Sequence, residues 1–450
     1  MKNPYFLLLA LLIAALPAIG YGGDAPPPQD PKMVFEPGSR LATLDFQERV
    51  RVEGRENNFD FNDRLESVTD DAWLLQRARI GLRLTPRENL AFYVQGQSSF
   101  ELESDRPNLP GVLGAEGDDP IDLRQAYVTI GSADFNVTLG RQILSYGDER
   151  LVGSFDWNNF GRTFDAVKVH LTPAKGWSLE AFASSVVVID NDEFNQSDLF
   201  NGNGTHRDQV FSGLYLSTAT LCPRGSTTDF YAFELHEETS LGGTDFVTLG
   251  TRLKADVTKT GGWDFESEMA AQTGELRGRD LGAFAGHWGL GRVWTHAAWK
   301  PRLFAEYNFA TGDSDASDGD TGTFQNLFPT NHKFYGYMDL FSWQNLHNPA
   351  LSFSVKPNDA TKLQVDYHGF WLADTEDAWY RANGVTQVRP VTPGADSFVG
   401  TELDLTATWK AQAHLSFLAG YSHFFTGDYA KSTGAADDAD FGYLQATIDF

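Results

Sequence analysis

The chain has 450 residues, of which 41% are hydrophobic and 13% aromatic, and its formal net charge is −26. A mean hydropathy of −0.33 leaves no room for the repeated runs of about 18 apolar residues that a helical membrane protein needs. The aromatic content excludes a disordered chain, and the acidic balance argues against nucleic acid as a partner. A single cysteine, Cys222, excludes an intramolecular disulfide framework and a cysteine-rich metal site.

The first 23 residues have the pattern of a secretory signal peptide. Lys2 precedes an apolar stretch over 5–18, and small residues follow near the expected cleavage site at 20–23. A run of about 14 apolar residues is too short to span a bilayer core, which disfavours a membrane anchor. Residues 24–40 contain five prolines and are predicted to form a stiff, extended periplasmic lead segment, so that the folded part comprises 41–450.

Polar and apolar residues alternate with a period of two through most of 41–450, which indicates strands with one polar and one apolar face. In 44–53, for example, Arg49 and Arg51 share one face, while Val50 and Val52 share the other. The predicted strands are 42–54, 72–85, 90–103, 121–131, 134–142, 163–172, 176–189, 209–219, 227–237, 245–257, 262–273, 281–295, 300–310, 348–356, 360–373, 398–410, 414–427 and 440–450.

The connections between these eighteen predicted strands distinguish a membrane barrel from a soluble sandwich. Short turns follow predicted strands 2, 4, 6, 10, 14 and 16, whereas the other side carries long connections at 104–120, 143–162, 190–208, 311–347 and 374–397. A short-turn rim opposite a long-loop rim, with an even strand number, is typical of outer-membrane barrels. The predicted fold class is therefore all-β: an antiparallel transmembrane β-barrel in the outer membrane of a Gram-negative bacterium, with periplasmic turns and extracellular loops.

Two segments depart from this pattern. In 121–131, Asp122 and Arg124 lie on one face but Gln125 and Thr129 on the other. Segment 336–346 has strand character, but a nineteenth strand would break the alternation of short and long connections. We therefore predict that it belongs to a long loop that folds over or into the pore.

Four motifs carry a family resemblance. They are Asp-Leu-Arg-Gln-Ala-Tyr at 122–127, Gly-Arg-Gln at 140–142, Gly-Arg-Thr-Phe-Asp-Ala at 161–166 and Asn-Leu-Phe-Pro-Thr-Asn-His-Lys-Phe-Tyr-Gly-Tyr-Met-Asp at 326–339. Together they resemble the alginate-export family of outer-membrane proteins, with similar spacing over essentially the whole mature chain. The resemblance implies a monomeric eighteen-stranded barrel that passes a polysaccharide or small anionic solute without energy input. It also implies that Arg141 and Arg162 are associated with the pore.

Charged residues on the polar strand faces are the principal functional candidates. A basic lumen concentrates anions, and arginine binds carboxylates with two hydrogen bonds. The predicted pore-lining and substrate-binding residues are Arg49, Arg51, Arg77, Arg79, Arg83, Arg124, Arg141, Arg150, Arg162, Arg302, Glu306 and Asp366. The alternative is that acidic residues on the same faces, such as Glu402 and Asp404, neutralise the arginines and leave a wall of little selectivity.

The long loops 143–162 and 311–347 are predicted to constrict or gate the channel. The candidates there are Asp156, Trp157, His332 and Trp343, whose aromatic rings either stack on sugars or pack within the loops. The acidic run 313–320 is interpreted as a solvated outer loop, with calcium binding as the alternative. No other metal site, no cofactor and no catalytic constellation is predicted.

These observations predict a passive channel, not an enzyme, for an anionic polysaccharide or oligosaccharide or a related small anion. The expected partners are outer-membrane lipid and the anionic solute, and an export role would add a periplasmic partner. Two alternatives stay open: a general or nutrient-uptake porin, and a barrel scaffold whose loops bind a ligand. Much of the surplus acid lies in predicted loops, so the net charge does not decide the sign of the solute.

Overall fold

The computed structural model describes residues 33–35, 41–65, 70–111, 114–191, 193–198, 208–221, 226–239 and 242–450. The predicted signal peptide, most of the lead segment and Cys222 lie outside these residues. Met33–Phe35 is a short strand that pairs with the start of the first barrel strand. No helix in the described part of the chain is long and apolar enough to cross a membrane.

The described residues form one closed barrel of eighteen antiparallel strands, which confirms the predicted fold class. Closure occurs between the first and the last strand, where Arg49 lies opposite Thr447. The strands are β1 (Leu41–Glu56), β2 (Ala72–Arg87), β3 (Leu90–Leu102), β4 (Asp119–Gly131), β5 (Phe135–Gln142), β6 (Phe164–Leu171), β7 (Trp177–Val188), β8 (Val210–Thr218), β9 (Thr227–Thr239), β10 (Gly242–Lys254), β11 (Trp263–Leu276), β12 (Arg279–Val293), β13 (Arg302–Ala310), β14 (Leu346–Asn358), β15 (Thr361–Trp371), β16 (Phe398–Gln412), β17 (Leu415–Thr426) and β18 (Ala439–Asp449).

Alternate side chains of each strand point outward or into the lumen. On β2, Ile80 and Leu82 are exposed on the outer face, whereas Arg77 and Arg79 are buried inside. The same apolar exposure continues around the barrel at Phe92, Val94, Ile130, Leu139, Val167, Leu214, Phe230, Leu249, Leu290, Leu303, Leu351, Val365 and Leu405. A hydrocarbon core requires such an apolar outer band, and closure leaves no unpaired strand edge in lipid.

The two rims of the barrel differ in the length of their connections. The turns 88–89, 359–360 and 413–414 contain two residues each, whereas the loops after β5 and β13 run over 143–163 and 311–345. One exception to this difference between the rims is 277–278, a two-residue turn between β11 and β12 on the rim that carries the long loops. The short turns are those that periplasmic connections of outer-membrane barrels adopt.

A β-bulge explains the mixed polarity of β4. In its pairing with β3, Gln125 lies opposite Gln95, but Leu123 lies opposite the next residue, so Arg124 is an extra residue. Asp122 and Arg124 are therefore buried on the inner face before the bulge, and Gln125 and Thr129 line the lumen after it. Both polar sets point inward despite their opposite parity.

Two long loops fold into the barrel and pack against each other. Inner loop A (143–163) and inner loop B (311–345) are joined by a parallel β-bridge between Val152 and Phe328. The backbone N–H of Gly153 donates to the Phe328 carbonyl oxygen at 2.8 Å. Nearly all of 323–345 is buried, and 336–345 is loop, so β14 begins at Leu346. The extracellular half of the lumen is therefore filled by protein, with an aromatic core.

A short helix, α1 (Asp428–Thr433), lies in the connection between β17 and β18. Its Tyr429 and Ala430 are buried, and the Tyr429 ring meets Trp379 edge-on at 6.4 Å between centroids. Trp379 in turn stacks on Phe341 of inner loop B at 5.2 Å. The helix thus closes part of the extracellular end over inner loop B.

Candidate solute path through the lumen

Five arginines from β1, β2 and β4 form a cluster beneath inner loop A. Because inward positions recur every second residue and the strands are antiparallel, residues of adjacent strands meet side by side, as Arg49 does with Arg77. The members of this arginine cluster, all less than a tenth exposed, are Arg49 and Arg51 on β1, Arg77 and Arg79 on β2, and Arg124 on β4.

The arginine cluster holds the backbone of inner loop A. Arg49 Nη1 donates to the Asp156 carbonyl oxygen at 2.7 Å, Arg51 Nη1 to the Trp157 carbonyl at 2.8 Å, and Arg124 Nη1 to the Phe160 carbonyl at 2.8 Å. Carbonyl oxygens buried away from water need such donors. The guanidinium groups are therefore occupied largely by the loop that they anchor.

Asp156 places a negative charge at the centre of the arginine cluster. Its carboxylate lies 2.7 Å from Arg79 Nη1, 3.2 Å from Arg77 Nη2 and 3.4 Å from Arg124 Nη2. Burial by itself would raise the pKa of this carboxyl, but the neighbouring guanidinium groups outweigh burial and hold its pKa well below the usual range. Asp156 therefore stays ionised and ties inner loop A to the barrel wall.

Trp157 forms a partition across the lumen. Its ring stacks on the His332 imidazole with centroids 3.7 Å apart, and the Arg51 guanidinium carbon lies 3.8 Å from the ring centroid. Tyr443 meets the same ring edge-on at 5.0 Å. His332 is fixed in turn by Asp339, whose carboxylate lies 3.0 Å from its Nδ1. Both inner loops thus contribute to one constriction.

Cavities lie on both sides of the Trp157 partition. The extracellular cavity, of about 450 Å³, is lined by loop residues together with Arg55, Arg106, Arg162 and Arg381 and the rings of Phe59, Trp73, Phe155 and Phe160. The periplasmic cavity, of about 550 Å³, is lined by residues that include Gln47, Arg49, Arg77, Lys333, Lys362, Thr408 and Thr447. Trp157 lines both cavities, so a solute that crosses the lumen on this path has to pass its ring.

Two arginines of the extracellular cavity have no carboxylate partner. Among the described residues, none presents a carboxylate oxygen within 4.0 Å of the Arg162 or Arg381 guanidinium. Arg162 Nη1 donates to the Pro329 carbonyl at 2.9 Å, and the Arg381 guanidinium lies 3.3 Å from the centroid of Phe59. Burial lowers the pKa of each arginine to about 10, so both remain charged at neutral pH.

Glu116 is an acidic group of this cavity whose charge changes near neutral pH. Burial raises its pKa to about 7, against the opposing effect of Arg51, whose Nη2 lies 3.1 Å from the carboxylate. The other carboxylate oxygen accepts a hydrogen bond from the Asn159 backbone N–H. Glu116 therefore links the extracellular cavity to inner loop A.

Acidic side chains also line the lumen, on β13, β15 and β16. Glu306 on β13, Asp366 on β15, and Glu402 and Asp404 on β16 all point inward. Glu402 accepts the backbone N–H of Met338 at 2.9 Å and so holds inner loop B on this side. Basic side chains on β1, β2 and β4 and acidic ones on β13, β15 and β16 therefore distribute charge unevenly around the lumen wall.

The remaining predicted residues are dispersed along the lumen. Arg83 lines a periplasmic opening next to Gln125 and Lys168. Three further arginines are held by carboxylates: Arg141 by Asp165 at 2.9 Å, Arg150 by Glu266 at 3.7 Å, and Arg302 by Asp264 at 2.7 Å.

For Trp343 the structure supports packing within the loop, the second of the two alternatives left open by the sequence. It is fully buried inside inner loop B and packs on Phe324 at 5.5 Å between centroids, so its ring does not line the extracellular or the periplasmic cavity. An apolar ring inside a folded loop is stabilised by burial, which competes with exposure to a solute path. Arg381, Phe59 and Glu116 also line the extracellular cavity but are not among the residues predicted from the sequence, because loops carry no periodic pattern that marks inward residues.

Comparisons with known proteins identify the family. The family model described as "Alginate export" matches residues 42–443. No curated protein matches the chain. Among solved structures, Pseudomonas aeruginosa OpdK crystallised with vanillate is similar with a TM-score of 0.58 and 12% identity, over 91% of this chain and 98% of that one. P. aeruginosa OccD3 (OpdP) is similar with a TM-score of 0.59 and 12% identity, over 95% of each chain.

At this identity the solved structures support the fold alone, whereas the family model covers nearly the whole barrel. The closed barrel, its apolar outer band and its polar lumen agree with that assignment. The chain therefore belongs to the alginate export family and is an outer-membrane β-barrel of the channel type in a Gram-negative bacterium.

Proposed function

We propose that this protein is a monomeric, passive channel for solutes that carry carboxylates, with anionic saccharides of the alginate type as the leading class. The observation that carries the proposal is the pair Arg162 and Arg381, charged and without a carboxylate partner, in the extracellular cavity. A carboxylate that reaches them gains charge-assisted hydrogen bonds that the protein itself does not supply. No catalytic role is assigned.

The aromatic walls of the extracellular cavity favour a saccharide acid or an aromatic acid over a simple inorganic anion. Phe59, Trp73 and Trp157 present ring surfaces beside the basic side chains. A sugar acid offers both an apolar ring face and a carboxylate, and so does the aromatic acid vanillate, which accompanies the P. aeruginosa OpdK structure. The family name points to the saccharide, since alginate is a polyuronate.

The size of the cavities sets a limit on what passes without loop movement. Volumes of about 450 and 550 Å³ on the two sides of Trp157 lie in the range of about 300–1,000 Å³ that small-ligand sites occupy. Each cavity has room for a short segment of an oligouronate. A longer polymer has to displace Trp157 or the loop that carries it, so we assign the inner loops the role of a gate.

The basic side of the lumen also supports an anionic solute. Within the described residues, the five guanidinium groups of the arginine cluster face three carboxylates within 4.0 Å, those of Glu53, Glu116 and Asp156. The excess positive charge is buried, where it is screened less than at the surface. Its field adds to that of Arg162 and Arg381 along the same path.

Single-channel recording in planar bilayers tests the proposal. Millimolar oligouronate is expected to interrupt the current, whereas a neutral oligosaccharide of equal length is not. The variant Arg162→Gln/Arg381→Gln should weaken this block at least tenfold. Arg292→Gln is the matched control, because Arg292 shares the outward parity of the exposed Trp288 and Leu290 on β12.

Three outcomes separate the alternatives. Cation selectivity together with no block by oligouronate would contradict the anionic-solute proposal. Equal block by the neutral and the anionic saccharide would favour a general porin. Absence of any conductance would favour a scaffold whose loops bind a ligand.

A further inference from the structure

Three potential metal ligands meet on the lumen wall at a distance from the arginine cluster. Glu266 on β11, His287 on β12 and Glu306 on β13 face inward, and one ligand atom of each lies within 4.8 Å of those of the other two. The strand register produces this proximity, because Glu266 and Glu306 both lie opposite Gly289, two residues from His287.

A chain of hydrogen bonds determines which nitrogen of His287 carries hydrogen. The Gly369 carbonyl can only accept, so Asn348 Nδ2 donates to it at 3.0 Å, and Asn348 Oδ1 then accepts from Asn308 Nδ2 at 2.9 Å. Asn308 Nδ2 also donates to Glu306 Oε1 at 3.2 Å. The remaining amide oxygen, Asn308 Oδ1, faces His287 Nδ1 at 2.7 Å and accepts its N–H.

With the hydrogen of a neutral imidazole on Nδ1, His287 Nε2 presents a lone pair to a carboxylate. It lies 3.1 Å from Glu266 Oε1, and neither atom of a neutral imidazole–carboxylate pair in this orientation can donate. A metal cation between the two atoms removes this conflict, and so does a second proton on the imidazole; metal titration distinguishes the two. Lys254 Nζ, at 2.8 Å, occupies Glu266 Oε2. Oε1, which lies 3.7 Å from Arg150 Nη2, is the oxygen that faces His287.

The surrounding charges leave an excess of negative charge. Among the described residues, the ion-pair network that contains Glu266, taken together with Glu306, has five carboxylates and three basic side chains besides His287. The carboxylates are Asp148, Asp229, Glu266, Glu268 and Glu306, and the basic groups are Arg150, Arg252 and Lys254. Arg302 and Lys333 line the adjoining cavity outside this network. One oxygen of Glu268 is buried without a hydrogen-bond partner. A divalent cation balances this excess.

We propose that Glu266, His287 and Glu306 bind a divalent transition-metal ion of the zinc class. One imidazole and two carboxylates form a ligand set for zinc and similar ions, whereas magnesium and calcium prefer oxygen ligands alone. A cavity of about 160 Å³, lined by Glu266 and Glu306 among others, adjoins the cluster and has room for water ligands. Asn308 orients both His287 and Glu306, as partners of metal ligands do.

The proposed site has a consequence for the lumen. A bound ion links three consecutive strands, β11 to β13, and reduces the negative charge of this part of the lumen wall. It does so whatever solute the channel carries, so this inference does not rest on the proposed function. Failure of the oligouronate experiment would leave it intact.

Metal titration of the purified barrel in detergent, after treatment with a chelator, tests the site. We expect one equivalent of Zn²⁺ by calorimetry and visible absorption bands when Co²⁺ is added instead. His287→Gln and Glu306→Gln should each abolish the Co²⁺ bands and weaken Zn²⁺ binding at least tenfold, and Asn308→Ala should weaken it by about 10–100-fold. His170→Gln is the matched control, since His170 lies 3.5 Å from Glu180 in the lumen but outside the site.

Two results would overturn the proposal. Wild-type protein that binds no Zn²⁺ would overturn the proposal and would mean that a proton occupies the space between His287 and Glu266. Unchanged Zn²⁺ binding in both His287→Gln and Glu306→Gln would overturn it as well. Heat-modifiable migration in gels checks that each variant is a folded barrel, and Glu306→Gln keeps the test decisive if His287→Gln does not fold.

Discussion

Replacing Asp156 by asparagine should loosen inner loop A. The carboxylate contacts Arg77, Arg79 and Arg124, and the amide keeps the size of the side chain and one accepting oxygen but removes the charge. The backbone carbonyls of the loop keep their bonds to the arginine cluster. The variant should therefore preserve the fold of the barrel while it increases the motion of the loop.

The size of this effect follows from the contacts. A hydrogen bond to a charged group contributes about 1.5–3 kcal/mol, and loss of the carboxylate also leaves three guanidinium groups that repel one another. The Asp156 side chain is 45% exposed, so solvent screens part of this interaction. We expect a cost of about 2 kcal/mol for the inward loop position, which corresponds to about a 30-fold rise in the displaced population, because 1.4 kcal/mol is a factor of ten.

Single-channel recording measures this population as current noise and as excursions to higher conductance. Asp156→Asn should show both, whereas Asp264→Asn should resemble the wild type, because Asp264 pairs with Arg302 in the lumen but contacts neither inner loop through that pair. Identical noise and conductance in Asp156→Asn and wild type would refute the reasoning. A conductance loss in Asp156→Asn would do so too, since it would mean that the loop had collapsed further inward.

Three further predictions concern the same path. Burial raises the pKa of Glu116 to about 7, so its carboxyl group becomes negatively charged as the pH rises from 6 to 8, and the anion selectivity of the channel should fall over this range. Glu116→Gln should abolish this pH dependence. If the pH dependence persists in Glu116→Gln, another group causes it. The depressed pKa of Asp156 means that its stabilisation of the loop is lost only as pH falls below the usual carboxyl range. Because Glu116 also contacts inner loop A and changes its charge near pH 7, the test uses Glu116→Gln, whose current noise should be the same at pH 7 and pH 5. Trp157→Ala should join the two cavities and raise conductance severalfold, whereas Trp157→Phe, which keeps a ring between Arg51 and His332, should raise it less; equal conductance in Trp157→Ala and wild type would contradict the partition.

The sequence determined the barrel because lipid imposes a pattern on every strand. Each strand needs apolar side chains on the face toward lipid and tolerates polar ones on the face toward the lumen. The same alternation of polar and apolar residues is therefore recognisable in 44–53 and in 402–409. The inward parity of Arg49, Arg51, Arg77 and Arg79 followed from that pattern. The alternation of inward and outward residues is interrupted at the β4 bulge, where Arg124 is inserted. A bulge depends on how β4 pairs with β3, which the sequence of one strand does not show.

The tertiary structure decided what these arginines do. From the sequence they are candidates for binding a solute, but folding brings inner loop A against them, and its carbonyl oxygens take up their hydrogen bonds. The two arginines of the extracellular cavity without a carboxylate partner, Arg162 and Arg381, come from loops separated by more than two hundred residues. No local period marks such positions.

The same distinction between sequence and tertiary structure applies to the charged residues. The sequence by itself determined the composition of each strand face, including Glu266, His287 and Glu306, because those depend only on neighbours along one strand. Whether a charge is paired, buried or open to the path depends on distances of a few ångströms between strands and loops that lie far apart in the chain. Coulomb interactions and hydrogen bonds act over those distances in space, so only the closed barrel with its inner loops in place could decide them.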